Sequence, residues 1–219
     1  VYDVVYTRLT SQRGVPRTRK GEISNLIILA LGKLGGRELN FGSDLDIVFV
    51  YSEDGETDGE KQIGNLQFFI EMSQQILNML SQMTPHGMLY PVDARLRPEG
   101  GSALLALSFE SYDKYLQGRA ATWERLALSR SRVIVGDSAF GDQLLNRLET
   151  FVLGDGLSDS DVDYLVDIRR QIQGKSGSRG HQPIGIKTGP GGIVDIEFIV
   201  QALQIEHRLR YLSTLQGLD

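Results

Sequence analysis

Residues 26–51 read LIILALGKLGGRELNFGSDLDIVFVY, and the fold turns on how this stretch alternates. Leu26 to Leu31 is a continuous apolar run that stops at Gly32, as expected of a strand buried on both faces. A glycine-rich turn follows, with Gly35, Gly36 and Gly42, and then Asp44 to Tyr51 is rich in Leu, Ile, Val and Phe and predicts a second strand. Strand side chains alternate faces, so Asp44 and Asp46 share one face with Val48 and Val50, while Leu45, Ile47 and Phe49 take the other. Two carboxylates are thus forced together at the rim of an otherwise buried sheet. Like charges at that spacing repel, and a hard divalent cation such as Mg²⁺, which takes oxygen ligands and shares them with substrate phosphates, suits the position.

Outward from this core, Ser52 to Glu60 is an acidic loop and Lys61 to Ser81 carries Leu66, Phe69, Ile70, Ser73, Ile76, Leu77 and Leu80 at helical spacing, predicting a core-packing amphipathic helix. Met88 to Arg97 predicts a third strand, ended by Pro98, and Ala103 to Leu107 a fourth. Upstream, Val1 to Leu9 reads as the end of a helix and Ser11 to Gly21 as a polar, basic connector. Beyond Ser108 the pattern is helical throughout, with helices expected at Phe109–Leu116, Ala121–Arg130, Ser138–Phe151, Ser160–Ile172 and Ile193–Tyr211, and a loop from Gly174 to Gly192. The expected class is α+β: a lobe over residues 1–107 with a small mixed sheet flanked by helices, then a mostly helical lobe over residues 108–219.

Asp93 lies on the expected third strand with Arg95 and Arg97 on its face. If that strand pairs beside the second, three carboxylates converge and two guanidiniums stand ready to neutralise a polyphosphate. Gly35 and Gly36, flanked by Lys33 and Ser43, offer backbone N–H groups and donors to phosphate oxygens, although neither a P-loop nor a dinucleotide-binding turn is present. Late in the chain, Gly191 and Gly192 precede a helix whose first turns hold Asp195 and Glu197. Acids there complement the helix dipole, and the same terminus, with Lys187 close by in sequence, can also receive an anion. Arg130 with Arg132, and Trp123 with Arg125, are placed either to join the two lobes or to face a nucleotide, with packing expected for Trp123.

Composition narrows the function. Net charge is -5, which disfavours nucleic acid as a partner. Cysteine is absent, removing disulfides and thiolate metal sites and fitting a reducing cytoplasm. His86, His181 and His207 lack zinc-ligand spacing. No stretch approaches the ~20 apolar residues of a membrane span, and the first residues lack a signal-peptide pattern. A cytoplasmic protein without a membrane partner is the expectation, and the abrupt termini suggest a piece of a longer chain.

The arrangement of strand, Gly-Gly, Asp-x-Asp on the next strand and a single later Asp resembles the DNA polymerase beta-type nucleotidyltransferase superfamily. The closer likeness is to the glutamine synthetase adenylyltransferase family, carried by LGKLGGRELN at 31–40 with SDLD at 43–46, VDARLRP at 92–98, TWER at 122–125 and GPGGIVDIEF at 189–198. The resemblance implies AMP transfer between ATP and a tyrosine of glutamine synthetase, with two Mg²⁺ ions. Asp44 and Asp46 would bridge both ions, and Asp93 would hold the nucleophile-side ion and accept or steer the phenolic proton. Gly35, Gly36 and Ser43 would contact the triphosphate, Arg95 and Arg97 would stabilise charge, and Lys187 and Glu197 join the nucleotide-binding set.

The family has an adenylylating and a deadenylylating half. Residues 35–40 and 65–69 look like the deadenylylating one; residues 87–90, 121–124, Gly136-Asp137 and Val194-Asp195 look like the adenylylating one, which is the favoured reading. Phosphorolytic removal of AMP and a non-catalytic nucleotide- or metal-sensing module are the alternatives. A nitrogen-signalling protein is a further expected partner, through regions outside this chain.

Overall fold

A computed structural model describes residues 1–177 and 186–218; His181 and part of the expected loop from Gly174 to Gly192 lie outside the described residues. Helix α1 (Tyr2–Arg13) leads through strand β1 (Pro16–Thr18) into β2 (Leu26–Ala30), the single helical turn α2 (Gly32–Gly35), β3 (Leu45–Tyr51) and β4 (Gly55–Thr57). Then come α3 (Asn65–Ser81), β5 (Val92–Asp93), β6 (Ala106–Ser108), α4 (Phe109–Gly118), α5 (Thr122–Leu128), β7 (Arg132–Val135), α6 (Ser138–Leu153), α7 (Asp159–Gly177) and α8 (Ile193–Glu206).

The decisive alternation holds. β2 and β3 pair antiparallel with Leu26 opposite Tyr51, Ile28 opposite Phe49 and Ala30 opposite Ile47. On one face Ile27, Leu29, Leu31, Val48 and Val50 pack under Tyr112 and Leu116 of α4, Leu126 and Leu128 of α5, Leu144 and Leu148 of α6 and Ile205 of α8. On the other, Leu26, Ile28, Ile47, Phe49 and Tyr51 pack on Val5 and Leu9 of α1 and Phe68, Phe69, Met72 and Ile76 of α3. The sheet is therefore covered on both sides, as its apolar strands require. Trp123 packs against the first of these cores, the role expected of it.

Three local expectations change. The ten-residue third strand reduces to Val92–Asp93, parallel to Leu45–Asp46; the chain then leaves the edge and returns as β6, parallel to Phe49–Tyr51. Pro91 has no N–H to continue a ladder, and the Arg97 guanidinium draws in the carbonyls of Ala94, Gly101 and Ala103, folding residues 94–103 into a loop. Second, the expected helix before Arg130 ends at Leu128, and β7 follows inside the stretch read as helical throughout. β7 joins the far side of β2, with Ala30 opposite Arg132 and Leu29 opposite Val133, giving the order β5-β3-β2-β7.

Third, the expected connector and acidic loop contain β1 and β4, which pair antiparallel. Asp58 accepts from the Val15 amide and Arg17 Nε at 2.7 and 2.9 Å, and a Cβ on Gly55 would lie 2.0 Å from the Arg17 carbonyl oxygen. That approach admits only glycine. The other helices follow the sequence reading within a turn at most ends. α4 and α6 are capped by the side chains of Ser108 and Asp137, which accept from the amides of Ser111 and Phe140. Among the described residues no helix is long and apolar enough to cross a membrane.

Candidate active site

One end of the central sheet gathers the chemistry. The parallel register puts Asp46 directly opposite Asp93, and the Leu31 amide donates to the Asp46 carbonyl at 2.9 Å, so the C-terminal end of β2 lies in the same row. Leu45 N–H donates to the Pro91 carbonyl at 2.9 Å, fixing Asp44 beside the approach to β5. Across β2, the row continues into the start of β7 at Arg132, just after Arg130. These elements open onto a cleft of about 1210 Å³, counting the space at its mouth, lined by Asp44, Asp46 and Asp93, by Lys33, Arg95, Arg130 and Lys187, and by Ser43, Glu197 and Gln201.

Asp46 is half-buried, and its carboxyl is pushed up to about 6, first by burial and then by the charges of Asp93 and Asp44. The three aspartates thus act on one another electrostatically, as the sequence pattern implies. Asp93 behaves oppositely. It accepts Arg95 Nε on both oxygens at 3.0 Å, Arg95 Nη2 at 2.5 Å and the Arg95 amide at 2.8 Å, and this guanidinium holds its carboxyl below the usual range. Among the described residues no three carboxylates or imidazoles are already gathered as a metal-ligand set. The physical reason is visible in the Asp93 pair: with like charges facing it, this carboxylate is satisfied by the exposed Arg95 fork instead. The donor atoms are all carboxylate oxygens, the preference of Mg²⁺ rather than zinc.

The glycines act differently from the expectation. Gly32, at φ +51°, lines the cleft, and a Cβ there would meet Asp46 Oδ2 at 2.5 Å. Gly35 and Gly36 are buried and do not line it. A Cβ on Gly35 would sit 2.1 Å from the Arg130 carbonyl oxygen, and one on Gly36 would sit 2.8 Å from that of Leu212. Arg132 completes this contact by donating to the carbonyls of Leu34 and Gly35 at 2.9 and 3.3 Å. Gly35 therefore lets α2 lie on the backbone that leads into β7, and Gly36 admits the backbone at Leu212. Ser43 reaches the cleft through a turn in which its amide donates to the Asn40 carbonyl and its Oγ accepts the Asn40 amide at 3.1 Å, with Gly42 at φ +75°.

Arg97, bound to three carbonyls of its own loop, is not in the lining; Lys33 and Arg95 are.

From the turn before α8 comes Lys187, and from α8 itself Glu197 and Gln201. The amides of Ile193 and Val194 donate to the carbonyls of Ile186 and Lys187 at 2.9 and 3.0 Å, strapping Lys187 to the start of α8. Asp195 turns away to Arg169, its Oδ1 2.5 Å from Nε, whereas Glu197 faces Arg130 at 3.5 Å. Glu38, two residues past the buried glycines, accepts Ser213 Oγ at 2.8 Å, the Thr214 amide at 2.6 Å and Thr214 Oγ1 at 3.0 Å, and lies 3.2 Å from Arg130 Nη1. These bonds and Arg130 hold its carboxyl below the usual value despite an opposing contribution from burial. Gly32 and Glu38 escape a search for titratable pairs because one has no side chain and the other's partners are distant in sequence.

Known proteins resemble this sequence. The family model described as glutamate-ammonia ligase adenylyltransferase matches residues 1–147, a span containing all three aspartates and Arg130, and that described as GlnD PII-uridylyltransferase matches residues 166–219. The bifunctional glutamine synthetase adenylyltransferase/adenylyl-removing enzyme of Pseudomonas syringae is 41% identical over 98% of this chain and 22% of its own length. Those of Shewanella woodyi and Thioalkalivibrio sulfidiphilus are 40% and 39% identical, over 99% and 92% of this chain and 23% and 21% of their own. This chain spans less than a quarter of these relatives, and it belongs to the glutamate-ammonia ligase adenylyltransferase family.

Proposed function

We propose that this chain is a nucleotidyl-transfer unit that moves AMP from ATP to a tyrosine of glutamine synthetase, with Mg²⁺ held by Asp44, Asp46 and Asp93. The observation that carries the reading is the Asp46–Asp93 register pair, flanked by Asp44, in a cleft that also holds Lys33, Arg130 and Lys187. The donors fit a hard cation: all are oxygens, and of the two effects that raise the Asp46 carboxyl, burial first and then repulsion from Asp93 and Asp44, the repulsion is what a cation relieves. Bound there, a divalent cation supplies charge neutralisation for the phosphates and the leaving group.

The chain's own residues do the rest. In the transfer, a bond forms between the phenolic oxygen and the α-phosphorus, and the bond to the bridging oxygen breaks in line, releasing pyrophosphate. The phenol, with an ordinary pKa of about 10, must lose its proton. Asp93 is placed to take or steer it once Arg95, whose side chain is exposed, swings from its carboxylate toward the phosphates. Lys33 and Ser43 meet the triphosphate from the side of α2 and the turn before β3, and Lys187 from the start of α8.

The names of the relatives pair adenylyl transfer with adenylyl removal, and phosphorolysis of adenylyl-tyrosine is the second reading. One assay separates the two. Unmodified glutamine synthetase is offered with ATP, adenylylated glutamine synthetase with inorganic phosphate, and pyrophosphate and ADP are quantified. ATP-dependent labelling with pyrophosphate release is expected, falling at least about 10²-fold in Asp44→Asn and Asp46→Asn. ADP release without labelling reverses the direction; unchanged transfer in both variants removes the carboxylates from the mechanism.

A further inference from the structure

Among the described residues Arg130 is the largest side chain that is essentially sealed from solvent, at 2% exposure, yet it lies in the lining of the acidic cleft. Its Nη1 donates to Glu38 at 3.2 Å and faces Glu197 at 3.5 Å. Its Nη2 is buried and has no hydrogen-bond partner among the described residues. A guanidinium has five N–H donors, and leaving a charged donor unpaired in a desolvated position is costly unless something completes it.

The fold goes to some length to set the group there. Gly35 has no room for a Cβ against the Arg130 carbonyl, and Arg132 anchors the same segment to α2. Sheet order places β7 beyond β2 from the aspartates, so with strands about 4.8 Å apart the start of β7 at Arg132, two residues after Arg130, is roughly 10 Å from the strand that carries Asp46. That separation leaves space between a cation-binding wall and a basic one. Lys33 and Lys187 line the same cleft, so an anion between the walls meets positive charge on several sides.

We propose that Arg130 Nη2 is the preformed donor for a phosphate-group oxygen, an anion site on the wall opposite the aspartates that Glu38 and Glu197 hold in readiness. The proposal rests on the reading of the cleft as a phosphate-handling site and deepens it. The phosphate belongs either to a nucleotide polyphosphate or to inorganic phosphate, and the two are told apart by the ligand used.

The test is anion binding without metal, so it does not depend on AMP transfer. Tripolyphosphate and orthophosphate are titrated calorimetrically into the chain in EDTA, using the unaltered protein, Arg130→Lys and Arg130→Met, with thermal unfolding recorded for each. Arg130→Lys keeps the charge and removes the planar fork, so a loss of affinity of at least about tenfold in this variant, at unchanged melting temperature, is the expected result. If tripolyphosphate binds far more tightly and orthophosphate does not compete, the site takes a nucleotide polyphosphate; comparable, mutually competitive binding with the same Arg130 sensitivity assigns inorganic phosphate.

Should either variant fail to fold, the unaltered chain labelled with ¹⁵N-arginine reads the same point: saturable shifts of a buried guanidinium resonance on adding tripolyphosphate are expected. Absence of anion binding, affinity unchanged in a folded Arg130→Lys, or no guanidinium shift overturns the proposal. AMP transfer that fails while Arg130-dependent anion binding persists would instead sink the assigned reaction and leave this site standing.

Discussion

Asp46→Asn should stabilise the metal-free protein at neutral pH while removing its activity. Asp46 is ionised there at a cost, because burial and two neighbouring aspartates raise its carboxyl from 3.8 to about 6. Roughly two units correspond to about 3 kcal/mol as a ceiling; the side chain is only half-buried, and solvent screening reduces this to about 1 kcal/mol. For a chain of this length that is a rise of about 2–4 °C in melting temperature. The sign follows from linkage. The folded state binds the extra proton between about pH 6 and 3.8, so this group costs stability as pH rises through that window.

The advantage of the asparagine variant is therefore full above about pH 7, about half that near pH 5, and nearly gone near pH 4. Differential scanning calorimetry of both proteins in EDTA at these three pH values checks it. Asp46→Asn melting at or below the unaltered protein at pH 8, or a pH-independent difference, would refute the claim that the fold holds the Asp46 charge, buried and set against two neighbouring aspartates, at a cost. Adding Mg²⁺ should reverse the order, raising the melting point of the unaltered protein and not that of the variant.

Gly35→Ala places a methyl 2.1 Å from the Arg130 carbonyl oxygen, and a loss of about 3 kcal/mol is expected, read by urea denaturation. Gly32→Ala meets only the free end of the Asp46 side chain, at φ +51°; stability should fall by about 1 kcal/mol, with a loss of AMP transfer at least about tenfold because the carboxylate must rotate away. Glu38→Ala strips Ser213, Thr214 and Arg130 of a shared acceptor. Hydrogen exchange should show protection falling over residues 213–218 while the β2 and β3 amides keep theirs, the local opening being about 2 kcal/mol easier.

The central part of this fold was legible because apolar alternation in β3 is dictated by burial on two faces, and the same period put Asp44 and Asp46 on the side that opens to the cleft. Other features depend on partners far along the chain. β7 is four residues whose strand state comes from pairing with β2, and no local period distinguishes it from its helical surroundings. The short edge of β3 is split because Arg97 collects carbonyls that become neighbours only after the loop closes. Gly35 and Gly36 signal close backbone approach in either reading. Whether a phosphate or another peptide comes close is decided by residues 130 and 212, about a hundred positions and more downstream.

The Glu38 carboxylate joins a segment between the first two central strands to Ser213 and Thr214, across separations of 175 and 176 residues. Contacts this distant are slow to form, since loop closure must come first. During synthesis, β2, β3 and the three aspartates can be in place while Glu38 still lacks those partners, and the basic wall is firm only once residues 213–214 have left the ribosome. The order of events is built into the sequence: the acidic half of the cleft comes first, and the residues that brace Arg130 through Glu38 follow well after it. A chain synthesised only as far as Asp93 thus carries its acids before Glu38 has the partners that brace Arg130.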